Sequence, residues 1–458
     1  MLDTLIEGAQ VVLPQGTFQT GLGIQDGRIA FIGDDPPKAR TRLKADQLVL
    51  LPGAVDLHVH FSEPGRGHWE GWAHGSRAAL AGGVTTVVDM PLNAVPATVN
   101  PDAFALKRGL GEQKSVVDFA LWGGLIDDNL SELGALHRCG VTGFKAFMLD
   151  TADASFPYVP DGLLIDGMQQ IAALDAVLAV HAENTALIAH RTARLRAAGQ
   201  DDARAWLTAH DELQELDAVR RALLFARHSG CDLHLVHLST PEAVDAVLNA
   251  QRDAQAVTSE VCAHHLLLTD QDFVQGGAEF KCAPPLRSRQ ATDGLWEQVL
   301  AGQVNVLASD HSPCPGEDKA VSDIWRAWGG INGVQVLLPL LLSEGVLARG
   351  LPLHELARML CHAPAVRAGI AHRKGSLKVG LDADLVLASL RAPWTLRADD
   401  LQSRHPHSAY VGHRFGAQVL SVYQRGVQTV SNGRLTRETL RMGEWLPPVK
   451  APASAGIR

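Results

Sequence analysis

From residue 54 onward, short runs of apolar and β-branched residues alternate with longer stretches of amphipathic, helix-like spacing. The runs are AVDLHVH (54–60), VTTVVDM (84–90), VVDFALWG (116–123), GFKAFML (143–149), AVLAVHAE (176–183), LHLVHLS (233–239), AVTSEVCAHH (256–265) and VNVLASD (304–310). Such runs read as strands, and their near-continuous apolar character predicts burial on both faces, as in a parallel sheet covered by helices. DELQELDAVRRALLFARHSG (211–230) illustrates the stretches between them. Eight strand-helix units predict an α/β fold, a (β/α)8 barrel of the TIM type, with a doubly wound open sheet as the competitor. The polar residues favour the barrel. His58, His60, Asp89, Lys145, His181, His237 and Asp310 lie near the C-terminal ends of successive runs, and a barrel gathers those ends at one mouth.

The two ends of the chain have a different texture. Residues 1–51 (VVLPQGTFQTG, IQDGRIAFIG) and 375–440 (GSLKVGLDADLVLASL, YQRGVQTVSNG) read as short strands with turns, and are expected to build one small composite β-sandwich. Residues 52–374 form the barrel, and 441–458 a tail that lies along the surface or is disordered. Asp26-Gly27 and Asn432-Gly433 are hairpin signals, because both central residues of such a turn need positive φ.

Composition narrows the chemistry. The chain has 458 residues, 46% hydrophobic and 20% charged, with a net charge of −9. That is a soluble globular composition without the basic face of a nucleic-acid binder, so a small molecule is the expected partner, with neither nucleic acid nor membrane. The N-terminus MLDTLIEGAQVVL has no basic leader and no window approaches about 20 apolar residues, which predicts a cytoplasmic protein. Six cysteines at 139, 231, 262, 282, 314 and 361 form no CxxC pair and read as reduced thiols, which removes zinc-finger and thioredoxin readings.

His58 and His60, at i and i+2 on a strand, point to the same side and can chelate one cation; the alternative is a pair of core imidazoles. Lys145 sits inside an apolar run, where an unpaired ammonium is costly and burial lowers the amine pKa by up to about 3–5 units. It is either a snorkelling or ion-paired side chain, or a neutral amine that captures carbon dioxide. As a carbamate it would carry two oxygens and bridge two cations as an aspartate does. His181 and His237 offer single imidazoles at the ends of the fifth and sixth runs. Asp310 offers a carboxylate beside them, or else caps a helix begun at Ser312-Pro313. A zinc-bound water with a pKa near 7 would then be ready to attack a polarised carbonyl, so the class implied is metal-assisted hydrolysis.

DLHVHFSEPG (56–65), GFKAF (143–147), VHAEN (180–184), HLVHLST (234–240), KCAPPLR (281–287), SDHSPC (309–314) and GLDADLVL (380–387) resemble the cyclic amidohydrolases: dihydroorotases, hydantoinases or dihydropyrimidinases, and allantoinases. The resemblance spans nearly the whole chain. HFSEPGRGHWEG (60–71), GGVTTVVDMPLNAVPAT (82–98) and DIWRAWGGINGVQ (323–335) are most similar to the allantoinase branch, whose members open the hydantoin ring of allantoin to allantoate. The resemblance implies that His58, His60 and Asp310 ligate one metal, that His181 and His237 ligate the other, and that carbamylated Lys145 bridges them. Asp310 would move the proton from the attacking hydroxide to the departing ring nitrogen. Zinc is the first expectation, with manganese, cobalt, iron and nickel also suited to these donors. A homotetramer is expected by the same resemblance.

Substrate preference turns on absences. Dihydroorotases place an arginine and a histidine where this chain has Ser62 and Cys314, and a substrate carboxylate left without them would lose about 2–5 kcal/mol or more. A neutral ring would lose nothing. Ser62 equally reads as a turn residue before Pro64-Gly65. Asn93 is expected to face substrate, one residue away from the dihydroorotase position, and the backbone near Cys282 and Gly330 is expected to meet the ring by resemblance to hydantoinases. Trp69, Trp72, Trp325 and Trp328 either wall a flat ring or pack beneath loops. His264 occurs as Cys262-Ala263-His264 where relatives have cysteine-proline-histidine, and His362 replaces a usual asparagine; a structural role is expected for His362. A hydantoinase acting on another neutral ring is the alternative function, and a non-catalytic scaffold the third.

Overall fold

The computed structural model describes residues 1–151, 153–437 and 443–449. All eight predicted strands are present: Ala54–Val59, Val84–Asp89, Asp118–Leu121 continued by Gly123–Gly124, Phe144–Phe147, Val177–His181, Asp232–Leu235, Val257–Cys262 and Val306–Ala308. Every neighbouring pair is parallel. The ring closes where Val59 bridges His311 in parallel and the His60 amide donates to the His311 carbonyl at 2.8 Å. Closure excludes the open sheet and gives the (β/α)8 barrel. The ladders are shorter than the runs, because the last residues of each run leave the sheet to form the mouth. In the seventh run the chain turns at once into the helix Ala263–Leu267, so 263–265 are helical rather than extended.

Local chemistry accounts for the helices between the strands. In Glu212–Ser229 the Asp211 side chain accepts from the Gln214 amide, and Gly230 at φ 70 ends the helix in the left-handed region. Its buried stripe, Ala218, Val219, Ala222, Leu223 and Ala226, repeats at i, i+4 and i+8 against the sheet.

The chain ends build two sheets. One has four strands, all drawn from residues 2–44; the other has seven and combines both ends, with Leu385–Ser389 antiparallel to Val49–Pro52. Ile6, Val11, Leu22, Ile24, Leu50, Leu385 and Leu387 form their shared core. Both hairpin signals hold: Asp26 and Gly27 have φ 50 and 75, Asn432 and Gly433 have φ 51 and 71. Where it is described, the tail is held against the barrel. Trp445 bridges Phe119 in parallel, Leu446 is buried, and the Val449 amide donates to the Gly369 carbonyl at 2.8 Å. Residues 450–458 lie outside the described residues. Among the described residues no helix is long and apolar enough to cross a membrane.

Candidate active site

The first and last barrel strands are joined by the closure, and this sets the first group of donors. His58 Nε2 and His60 Nε2 each lie 3.3 Å from Asp310 Oδ1. The ligating atoms of these three residues fall within 4.8 Å of one another. His237 lies beside them, its ring centroid 5.5 Å from His58 and 4.5 Å from His181. Lys145 is fully buried on the fourth strand, and its Nζ has no hydrogen-bond partner. His60 Nδ1 and His237 Nδ1 are likewise buried and unpartnered.

Burial decides the charge states. It lowers the Lys145 amine to about 8, against the opposing pull of Glu260 and Asp310. It also lowers His60, His181 and His237, leaving neutral imidazoles with lone pairs to offer. Burial alone would raise Asp310, but His58 and His60 hold its carboxyl below the usual carboxylate range. Two of these residues adopt left-handed backbones, His237 at φ 40 and Asp310 at φ 47. Such conformations cost about 1–3 kcal/mol and persist only where the surrounding structure enforces them.

Three acidic residues escaped the sequence reading. Glu260, mid-strand in the seventh run, accepts from His58 Nδ1 at 2.7 Å, lies 3.3 Å from His234 Nε2, and accepts the His237 amide at 3.1 Å. Glu183 lies 2.8 Å from His181 Nε2 and 2.9 Å from His210 Nδ1, and accepts from Gln214 at 2.7 Å. Glu215 accepts from Ser239 at 2.6 Å, and Ser239 in turn accepts from Arg287 at 2.8 Å. The first two fix imidazole orientation in the way outer carboxylates hold metal-binding histidines. A charge in the middle of a doubly buried strand singled out Lys145, and the same signal marks Glu260. Asp89, by contrast, does not join the cluster: it accepts the Phe61 amide at 2.8 Å and pairs with buried Lys107.

The residues expected to meet substrate ring the same mouth. Ser62 (φ 59) is buried with its Oγ 3.5 Å from the His60 carbonyl, and Asn93 (φ 64) reaches across to Ser312 Oγ at 3.4 Å. Cys282 and Cys314 are buried, and their carbonyls accept from Trp206 Nε1 at 3.3 Å and His407 Nε2 at 2.9 Å. Gly330 passes so close to Ser312 that a Cβ there would meet the Ser312 carbonyl at 2.4 Å. Among the tryptophans, Trp72 is core, packed on Phe61 and Phe119, while Trp69 and Trp328 meet edge to face at 4.5 Å near Ser312. His362 bonds Ser376 Oγ at 3.2 Å.

The buried donors His58, His60 and Asp310 fit a divalent cation, and the neutral imidazoles of His181 and His237 and the Lys145 amine, whose nitrogen has no hydrogen-bond partner, supply further buried donors. A profile of the amidohydrolase family matches residues 49–429. An allantoinase of Solibacter usitatus is 43% identical, with both chains covered in full. An allantoinase of Rubrobacter xylanophilus is 45% identical over 94% of this chain and 95% of its own. Among solved structures, the L-hydantoinase (dihydropyrimidinase) of Arthrobacter aurescens superposes with a TM-score of 0.94 at 34% identity, over 97% of this chain and 99% of its own.

Proposed function

The chain belongs to the amidohydrolase family, and we propose that within it this enzyme hydrolyses the cyclic amide of allantoin, opening the hydantoin ring to allantoate. The observation that carries the reading is the convergence of His58, His60, His181, His237 and Asp310 on one barrel mouth beside a buried lysine without a hydrogen-bond partner. His58, His60 and Asp310 would hold one cation, and His181 and His237 the other. The Lys145 amine would add to carbon dioxide, forming an N–C bond with loss of a proton, and the resulting carbamate would bridge the two. When bound, two divalent cations, zinc foremost, supply polarisation of the scissile carbonyl and acidify the attacking water.

The remaining work belongs to the chain. Asp310, held ionised by His58 and His60, takes the proton from water and passes it to the departing ring nitrogen. Glu260 and Glu183 hold the tautomers of His58 and His181. Ser62, Asn93, Cys282, Cys314 and Gly330 line the substrate side, and neither Ser62 nor Cys314 offers a charge to a substrate carboxylate. This supports a neutral ring over dihydroorotate. The same reading carries the expectation of a cytoplasmic homotetramer, with residues 1–51 and 375–440 as a unit apart from the 52–374 barrel.

Likeness to the Arthrobacter aurescens enzyme supports a second reading, in which another neutral ring is the substrate. A comparison of kcat/KM for allantoin, hydantoin, dihydrouracil and dihydroorotate with metal-replete enzyme tests both. Preference for allantoin by at least about tenfold, or 1.4 kcal/mol, is expected. Preference for hydantoin or dihydrouracil moves the substrate and keeps the chemistry, whereas activity on none of the four brings the scaffold reading forward.

A further inference from the structure

We propose that His264, His265 and Cys282 form a third cation site, selective for a soft divalent ion such as cadmium or zinc, whose occupation inhibits the enzyme. Cys262 ends the seventh barrel strand, so His264 and His265 occupy the first turn of the helix Ala263–Leu267. Cys282 comes from the loop after the helical turn Gly277–Phe280. The three side chains are 1%, 2% and 3% exposed. One donor atom from each falls within 4.8 Å of the others. Tetrahedral zinc, with bonds of about 2.0–2.3 Å, needs donors about 3.3–3.8 Å apart, so the cluster must contract by no more than about 1.5 Å.

The hydrogen-bond ledger points to a ligand. His265 Nε2 lies 3.2 Å from the Pro284 carbonyl, which can only accept, so the ring proton is on Nε2 and a lone pair on Nδ1. That Nδ1 has no partner, and neither has Nδ1 of His264, although both are sealed from solvent. A buried nitrogen left without a hydrogen bond keeps its desolvation cost with nothing to offset it. The two rings stand 4.2 Å apart at 60°, an edge contact that explains their packing and leaves both orphaned nitrogens unexplained. A thiol and two imidazoles whose donor atoms lie within 4.8 Å of one another select soft or borderline ions over magnesium or calcium. The ion replaces the Cys282 thiol proton, which leaves to solvent, so one proton is released for each ion bound.

Inhibition follows from place. His264 also lies within 4.8 Å of Asp310 and Cys262, so a cation on His264 sets a positive charge beside the carboxylate that moves the proton. This part rests on the reading of Asp310 given above; binding does not.

The test starts from metal-loaded enzyme titrated with cadmium chloride. One equivalent of cadmium beyond the two resident metals is expected, together with an ultraviolet sulfur-to-cadmium charge-transfer band and a parallel loss of ring-opening activity. Cys282→Ser should abolish the band, and His265→Gln should weaken binding by at least about tenfold. Cys139→Ser, which removes the partly exposed thiol, should change nothing. The proposal is overturned if the band survives in Cys282→Ser, if it disappears in Cys139→Ser, or if cadmium only displaces the resident metals with no equivalent bound beyond those two. Should Cys282→Ser fail to fold, unchanged binding in His265→Gln overturns it alone. Tight binding without any allantoin turnover would keep the site and count against the substrate.

Discussion

Two lysines, both sealed from solvent, divide the molecule into its two kinds of buried charge. Lys145 stands at the barrel mouth with no hydrogen-bond partner for its Nζ and only the Phe147 ring 5.2 Å away, and burial pulls it down to about 8. Lys374 stands where the barrel meets the terminal sheets, 2.5 Å from Asp118, 2.6 Å from Asp384 and 2.9 Å from Asp382, and those carboxylates overcome its burial and raise its pKa. Arg425 reaches Asp118 and Glu444, and Arg373 reaches Asp382 and Glu444, so three cations face four carboxylates and every cation in the cluster is paired. The chain therefore knows how to satisfy a buried ammonium. Where it leaves one unsatisfied, among imidazoles also short of partners, the unpaired group marks chemistry rather than architecture.

The same edit in both places should break the molecule in opposite ways. Lys145→Met removes the amine without leaving a large cavity, and kcat/KM for allantoin should fall by about 10⁴-fold or more, over 5 kcal/mol of transition-state stabilisation. In the metal-free protein its melting temperature should hold or rise, because there the buried amine has no hydrogen-bond partner and its burial is a cost. Full activity in that variant would remove the carbamate from the mechanism. Lys374→Met comes next: it strands buried carboxylates and should cost about 3–5 kcal/mol of stability. The fraction that remains folded should keep its kcat. Denaturant titration beside steady-state kinetics separates the two, and a Lys374→Met enzyme that is stable but inactive would dissolve the contrast.

How much of this was legible in the sequence follows from where each signal is written. Strands buried on both faces spell themselves as apolar runs, so all eight stood out, and Asp-Gly and Asn-Gly announced their hairpins. Arg425-Gly426 makes a third turn with φ 44 and 76 between Gln424 and Val427, yet an arginine there gives no warning. The candidate cluster was legible because His58, His60, His181, His237 and Asp310 stand near the ends of their runs and Lys145 is a charge inside one. Its strain was not: Ser62, Asn93, His237 and Asp310 hold positive φ that only the assembled barrel enforces. The Lys374 cluster was only partly legible, since Asp382 and Asp384 lie within ten residues but Asp118 lies 256 away.

Glu260 sharpens the comparison from the other side, as a paired charge that serves the unpaired ones. Removing its charge without changing its shape, Glu260→Gln, should free His58 to rotate and weaken metal affinity and kcat/KM by about 10–100-fold. Metal content after dialysis, read beside kinetics at saturating metal, shows whether orientation is the cause. Activity equal to the unaltered enzyme, at equal metal content, would mean that His58 is held by something else.

The weakest pairing lies on the rim, and its effect should be the smallest. Residues 403–408 strap the mouth: the Arg404 amide donates to Glu70 at 3.1 Å, His405 Nε2 to the His68 carbonyl at 2.8 Å, and His407 spans Glu279 at 3.1 Å and the Cys314 carbonyl at 2.9 Å. The Glu279 carboxylate raises the His407 pKa, more than its burial lowers it. A raised folded-state pKa stabilises fully below the ordinary histidine value near 6.5 and is lost as pH rises through the folded value, while Glu279, which burial would raise but the bond to His407 holds low, adds stability that is full above about 4.5 and lost as pH falls through its folded value. The strap should thus hold best between about pH 4.5 and 6.5 and loosen toward pH 9. Hydrogen exchange across 403–408, corrected for its intrinsic pH dependence, should show protection falling by less than about fivefold over that rise, as expected of a half-exposed pair. Glu279→Gln should flatten the dependence; a slope unchanged in that variant would assign it to another group.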